Sequence, residues 1–200
     1  LLLAEAGISG LAASKESLRS VYEDRMLPLQ QLSYIVQLML SNRALLQTAL
    51  SEVSIAHAAN QPAFIQMDMD VARATATAIE DNIVLIDAQW HIYTSLSHAP
   101  AAIELAKQFG KSRDAYIYNA LRPAATALRA GDYEHARALS ALAQVLYNKT
   151  LPDLQVLNQA LIAAANTTYA DGVRRFERTR ALTLIALGLT TLMMTWLGLM

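Results

Sequence analysis

Apolar residues recur at helical spacing over four long stretches of this sequence, and this pattern restricts the fold more than any other feature. The stretches run from about residue 14 to 57, from 63 to 97, from 101 to 130, and from Tyr133 onward. Only three short turn signals separate them: NQP at residues 60–62, SHAP at 97–100 and GD at 131–132. The sequence therefore predicts an all-α protein built from four long helices.

Short turns between long amphipathic helices make neighbouring helices antiparallel, so we expect an up-down-up-down four-helix bundle. The chain has only seven Gly and five Pro in 200 residues, which leaves little punctuation for a sheet of short strands. It has no Cys, which excludes disulfides, thiol catalysis and Cys-ligated zinc. Its 16 Lys and Arg against 17 Asp and Glu argue against nucleic acid as a partner.

The two ends of the chain are more apolar than its middle. Residues 181–200 form an uncharged run of twenty, the length that a helix needs to cross a bilayer, and residues 174–180 (RRFERTR) form a charged collar before it. We expect residues 181–200 to be a second transmembrane helix, with a buried core helix as the alternative. Residues 1–13 are expected to be the end of a first transmembrane helix, with the tail of a signal peptide as the alternative. Residues 14–180 are then the bundle domain outside the membrane. A bundle whose first and last helices both continue into the membrane has the architecture of a sensor.

The sequence gives no support to an enzyme. None of the four histidines (His57, His91, His98 and His135) has another at the i, i+3 or i, i+4 spacing of helical metal ligands. There is no HExxH motif, no Gly-rich phosphate loop and no nucleophile elbow. We therefore predict a non-enzymatic protein without a cofactor or a metal site.

Two arginines occupy positions that the helical pattern assigns to the apolar stripes. Arg43 falls among the apolar residues of the first helix, and Arg113 falls between Phe109 and Ile117 on the third. A buried guanidinium without a partner is very unfavourable, so each arginine needs an internal acid or a bound anion. The internal candidates are Glu80 and Asp87, at one edge of the second helix's stripe.

Counting residues from the distal turns places both arginines at one level, roughly 20–27 Å below the tip of the bundle. Tyr and Thr side chains fall at the same level and complete a predicted ligand site of Arg43, Arg113, Tyr116, Tyr147 and Thr150. Guanidinium groups beside hydroxyls suit carboxylate capture, since arginine binds a carboxylate bidentately. Tyr118 and Arg122 are expected on the outer face, and Trp90 in the core.

Two arginines favour a ligand with two or three carboxylates, such as malate, succinate or citrate. An aromatic monocarboxylate is the next possibility, because Tyr116 and Tyr147 could stack against its ring. An amino acid comes third, because its ammonium group would need an acidic or carbonyl partner. The alternative is that the arginines pair with an acid such as Glu80, or line a subunit interface.

The opening of the first helix closely resembles a known family. VYEDR at Val21–Arg25, followed by Pro28-Leu29, is similar to the start of the four-helix-bundle ligand-binding domain of bacterial methyl-accepting chemotaxis proteins. LRPA at Leu121–Ala124 and LRAGD at Leu128–Asp132 resemble the third helix and distal turn of that family. The resemblance implies a homodimeric periplasmic sensor in the bacterial inner membrane, with ligands held between helices or at the dimer interface, often through Arg.

The resemblance also implies partners that bind to another part of the receptor. A kinase and a coupling protein would act through a cytoplasmic part that is absent from these 200 residues. Two other classes share the predicted fold: a membrane-anchored helical interaction module, and the input domain of a sensor histidine kinase or nucleotide cyclase. In the first of these, the arginines would be interface contacts and no small molecule would bind.

Overall fold

The computed structural model describes residues 26–59, 62–96 and 100–198, and these residues confirm the predicted all-α bundle. The predicted membrane segment 1–13 and the VYEDR block lie outside the described residues, as do 60–61 and 97–99 in the first two turns. The α-helices within these described ranges are α1 (Leu27–Ala59), α2 (Pro62–Ser95), α3 (Pro100–Tyr116), α4 (Arg122–Ala130) and α5 (Tyr133–Gly198). A five-residue π-helical turn, Ile117–Leu121, joins α3 to α4.

The helix ends follow the local sequence. Both α2 and α3 begin with a proline, which is favoured there because the first N–H of a helix needs no intrahelical partner. Gly131 ends α4 with a φ of 75°, a left-handed conformation suited to glycine, and the Gly131 and Asp132 N–H groups bond to the last carbonyls of α4. The Asp132 side chain then accepts a hydrogen bond from the His135 N–H at 3.1 Å, which caps α5.

The third stretch was predicted as one continuous helix, whereas the structure interrupts it with the π-helical turn. The Arg122 N–H donates to the carbonyl of Ile117, five residues back instead of four. Pro123 explains this widening: it has no N–H, and in a regular α-helix its ring would press against the carbonyl four residues earlier. One extra residue in the turn relieves that contact.

Two compact units divide the chain. The larger is Arg19–Leu161, and the smaller combines Leu1–Leu18 with Ile162–Met200. In the larger unit a continuous apolar core includes Ala72, Ala76, Ile79, Ile83 and Ile86 of α2, as the helical pattern predicted. Within the part of the chain that the structure describes, no helix combines enough length with enough apolar character to cross a membrane. The predicted segment 181–200 falls partly on residues outside that description.

The buried stripe of α1 contains most of the apolar residues that the helical pattern predicted, including Leu32, Met39 and Leu46, but its centre differs from the prediction. Its centre follows Ile35, Asn42 and Ala49, which are spaced seven residues apart and fully or almost fully buried. Arg43 therefore lies at the edge of the stripe and is half-buried, not at the centre as the sequence suggested. Assigning Val36 instead of Ile35 to the core shifted the centre of the predicted stripe toward Arg43, by less than the 100° that one residue spans on a helix.

An aromatic cluster lies in the core between α2 and α3. Trp90 stacks on Tyr93 with ring centroids 5.1 Å apart, and meets Phe109 edge-on at 5.5 Å. Gly110 permits this approach, because a Cβ at that position would lie 2.9 Å from Cζ2 of Trp90. The prediction of Trp90 as a packing residue agrees with these contacts.

Candidate functional site

Arg43 lies at the boundary between α1 and α5. Its Cζ atom is 5.0 Å from the ring centroid of Tyr147, which is the geometry of a cation–π contact. Within the described part of the chain, no carboxylate forms an ion pair with Arg43. Its guanidinium N–H donors therefore remain available to an anion.

Tyr147 connects Arg43 to a second, more deeply buried tyrosine. The rings of Tyr116 and Tyr147 meet edge-to-face with centroids 5.9 Å apart, and the Tyr116 hydroxyl donates to the Met39 carbonyl at 3.0 Å. Burial raises the pKa of Tyr116 well above the ordinary value, and the nearby Tyr147 adds to this rise while Arg43 opposes it. Burial also raises the pKa of Tyr147. Arg43, Tyr147 and Tyr116 form what we call the Arg43 cluster, whose phenols stay neutral near pH 7.

Arg113 has very different surroundings. Its side chain is buried, and its Nε and Nη2 donate to Oδ1 of Asp114 at 3.0 and 2.5 Å. Nη2 is also 3.4 Å from Oδ1 of Asp87, and Cζ is 5.0 Å from the Trp90 ring. Two carboxylates and an aromatic face thus surround this guanidinium, and we call these residues the Arg113 cluster. Nη1 alone has no hydrogen-bond partner among the described residues.

Asp87 also binds the π-helical turn. The Tyr118 hydroxyl donates to Oδ2 of Asp87 at 3.1 Å, and the Arg122 guanidinium lies 5.0 Å from the Tyr118 ring. Partial burial, followed by the negative charge of Asp87, raises the pKa of Tyr118. Both Tyr118 and Arg122 are exposed, which confirms the predicted outer face.

Glu80 forms an ion pair with neither Arg43 nor Arg113. It accepts hydrogen bonds from Arg129 at 2.8 and 2.7 Å, a bidentate pair between α2 and α4. Arg113 therefore has an internal counter-ion, as the sequence left open. It pairs with Asp87 and with Asp114, the residue that follows it in the chain. Thr150 is buried as predicted, but its hydroxyl donates to the Leu146 carbonyl of its own helix at 2.9 Å.

The predicted single layer divides into two levels. The bond between Tyr116 and the Met39 carbonyl aligns α1 with α3, which run in the same direction. Arg43 lies four residues after Met39, and Arg113 lies three residues before Tyr116, so about 10 Å of helix axis separates them. Counting from the distal turns allowed a spread of one or two turns of helix, and this separation is near the upper end of that spread.

Sequence reasoning missed a buried polar pair beside Arg43. The Asn82 amide donates to Oδ1 of Asn42 at 2.8 Å across α1 and α2. Asn42 has no exposed surface, and its own amide N–H₂ has no partner in the described part of the chain. The seven-residue spacing of Ile35, Asn42 and Ala49 was the signal that could have found it.

A shallow groove of about 440 Å³ opens at the surface between α4 and the start of α5. Tyr118, Arg122 and His135 contribute to its walls, and none of the five predicted site residues does. We give more weight to the Arg43 cluster, because an arginine without a counter-ion beside buried phenols is a stronger sign of ligand binding than an open concavity. Among the described residues, no three His, Asp or Glu side chains are placed to hold a metal ion.

A comparison with protein families identifies the family of this chain. The family model described as "Tar ligand binding domain homologue" matches residues 1–171 of the 200. The match covers α1 to α4, much of α5 and all five predicted site residues. No curated protein and no solved structure matches the chain.

Proposed function

The chain belongs to the family of Tar ligand-binding-domain homologues and is a chemoreceptor sensor domain; on that premise we propose that it binds a small organic acid through Arg43. The observation that carries this proposal is the guanidinium of Arg43, which rests on the Tyr147 ring and has no described counter-ion. A carboxylate there would gain a charge-assisted, bidentate partner while one side of the guanidinium remains packed.

Arg113 takes a structural role in this proposal. Its charge is already balanced by Asp87 and Asp114, so an incoming carboxylate would have to displace an internal acid. Thr150 and Tyr116, with their hydroxyls bonded to backbone carbonyls, shape the site instead of donating to the ligand. The predicted di- or tricarboxylate, such as malate or citrate, then needs a second cation from elsewhere.

A second copy of the chain can supply that cation. From residue 26 to 51, every exposed side chain of α1 is uncharged, which suits a face that packs against an identical helix. We propose a homodimer through this face, in which Arg43 of each copy contacts one carboxylate group of the ligand. The location on the bacterial inner membrane, with the sensor in the periplasm, belongs to the same proposal.

Signal transmission follows from differential affinity. A ligand that binds one packing of α1 and α5 more tightly than another shifts the balance between them by that difference. In the proposal, a displacement of about 1–2 Å in α5 carries the signal toward residues 181–200 and on to the cytoplasmic kinase and coupling protein. Pro152, exposed within α5, is where we expect the helix to change its bend.

The test is a thermal-shift titration of the full 200-residue chain in detergent micelles with citrate, malate, benzoate and aspartate. An acid at 100 times its dissociation constant should add about 2.7 kcal/mol to the free energy of unfolding. Arg43→Gln should abolish the shift. Arg73→Gln, which removes an equal charge from an exposed pair with Asp70, should leave it unchanged.

Each outcome separates the remaining possibilities. A shift that survives in Arg43→Gln but disappears in Arg113→Gln would move the site to the Arg113 cluster. A shift with benzoate alone would favour the aromatic monocarboxylate over malate and citrate. Silence from every acid would refute the organic-acid proposal and favour the helical interaction module or kinase input domain.

A further inference from the structure

Three exposed arginines lie close together in the C-terminal part of α5. Arg174, Arg178 and Arg180 lie within seven residues, and we call them the arginine collar. None forms an ion pair with any residue that the structure describes. Glu177 is the one acid in the run from 174 to 180, and no charge follows from Ala181 to Met200. The collar is thus a concentration of positive charge that the described chain does not neutralise.

The collar surrounds the helix instead of marking one face. Residues two apart on an α-helix lie about 160° from each other, so Arg178 and Arg180 occupy nearly opposite sides. Arg174 lies one turn from Arg178 and on the same side. A protein groove covers one side of a helix, whereas a layer of lipid headgroups encloses its whole circumference. The distribution of the charges fits the second kind of partner.

The residues immediately after the collar place large apolar side chains on opposite sides of the helix, with the small Thr183 between them. Leu182, Leu184 and Ile185 are 67%, 61% and 59% exposed, and the first two again lie on opposite sides of the helix. Exposed leucines on opposite sides of one helix need an apolar medium around most of its circumference. The transition from charged to apolar occurs within one turn, on the scale of the boundary between headgroups and acyl chains.

We propose that the arginine collar binds the phosphate groups of anionic phospholipids, with Leu182, Leu184 and Ile185 against the acyl chains. Guanidinium groups bind phosphate bidentately, and a lipid of net negative charge adds a long-range attraction that a zwitterionic lipid lacks. This inference rests on the proposed function, which assigns the domain to a membrane receptor. Lys and Arg are enriched beside membrane helices on the cytoplasmic side. That enrichment does not explain a group of arginines on the periplasmic side, where the proposed function places the collar.

The experiment measures how the full chain distributes between buffer and sedimented vesicles. One set of vesicles is pure phosphatidylcholine, and the other contains equal parts of phosphatidylcholine and phosphatidylglycerol. The triple variant Arg174→Gln/Arg178→Gln/Arg180→Gln should lose on the order of 100-fold in its preference for the anionic vesicles, about fivefold per arginine. High salt should reduce the preference of the unaltered chain in the same direction.

Two further variants make the result specific. Arg73→Gln/Lys107→Gln/Arg137→Gln removes the same charge from exposed ion pairs of the bundle and should keep the preference. Replacing the three collar arginines by lysine should also keep most of it, because the charge remains. Equal binding of the unaltered chain to both vesicles, or an unchanged preference in the glutamine variant, would overturn the proposal. Neither result alters the carboxylate titration, so the two proposals fail separately.

Discussion

The Arg43 and Arg113 clusters place the same side chain in the same bundle under opposite conditions. Arg43 is half-buried with an aromatic face and no described acid, whereas Arg113 is buried and enclosed by Asp87, Asp114 and Trp90. A buried ion pair is retained once formed, because removing one partner leaves an unbalanced charge. The comparison teaches that charge within an apolar stripe marks a ligand site only where the protein has not already neutralised it.

The largest effect is expected from removing both acids of the Arg113 cluster. Asp87→Asn/Asp114→Asn leaves the buried guanidinium without a counter-ion, and we expect a loss of about 2–3 kcal/mol in the free energy of unfolding. This lies below the range for fully buried pairs because both carboxylates are partly exposed. Thermal unfolding followed by circular dichroism measures it. Asp70→Asn/Glu134→Asn, which removes two acids from exposed pairs, should change stability by less than about 0.5 kcal/mol; equal losses in both variants would contradict the comparison.

The next effect concerns two tyrosine hydroxyls, one within the Arg43 cluster and one that bonds to Asp87 of the Arg113 cluster. Tyr116→Phe removes a buried hydrogen bond to the Met39 carbonyl and should destabilise the chain by about 1 kcal/mol. Tyr118→Phe removes an exposed bond to Asp87 and should cost about half as much. Chemical denaturation of the two variants in parallel checks the order. A larger loss in Tyr118→Phe would mean that the π-helical turn depends on Asp87 more than the core depends on Tyr116.

Arg43→Gln should have a smaller effect on stability, although it abolishes the proposed ligand response. The substitution removes a partly exposed cation–π contact with Tyr147, worth about 0.5–1 kcal/mol. The measurement is the midpoint of thermal unfolding without added acid. A loss above about 2 kcal/mol would show that Arg43 has a structural partner, and the contrast with Arg113 would disappear.

The smallest effect comes from the Glu80–Arg129 pair, which serves as a surface reference. The hydrogen bond from Arg129 lowers the pKa of Glu80, so the unfolded chain takes up a proton at a higher pH than the folded chain does. Its contribution is therefore complete above the ordinary pKa of glutamate and is lost as the pH falls through the lowered folded value. Because the pair is exposed, we expect its contribution to be smaller than each of the effects above. Glu80→Gln should flatten the part of the stability profile that lies below the ordinary pKa of glutamate, and an unchanged profile would count against it.

The sequence predicted the elements of the fold because their signals are local. The turn at Gly131 and Asp132 depends on residues within five positions of each other, and the structure has the predicted turn there, built on a left-handed glycine and a capping aspartate. The interruption at Ile117–Leu121 escaped prediction, although Pro123 was visible. A proline can be accommodated by a kink, a break or an extra residue, and packing decides among them.

The candidate site was less predictable because it depends on phase and partners. Assigning Val36 instead of Ile35 to the stripe of α1 moved Arg43 from its edge to its centre and hid Asn42. Burial of Arg113 was predicted correctly, and Asp87 was among the acids considered for it. Asp114 was missed because adjacent residues on a helix do not normally face each other, and only the long, folded side chain of Arg113 brings its guanidinium to the Asp114 carboxylate.

The extra residue in the π-helical turn also affects how this chain should be aligned with others. An uninterrupted helix has one residue fewer over the same length, so every position on one side of the turn is offset by about 100° from its geometric counterpart. A gapless comparison with such a helix would match Arg113 or Leu128 to the correct face, but not both. Placing a single gap within residues 117–121 restores the correspondence on both sides.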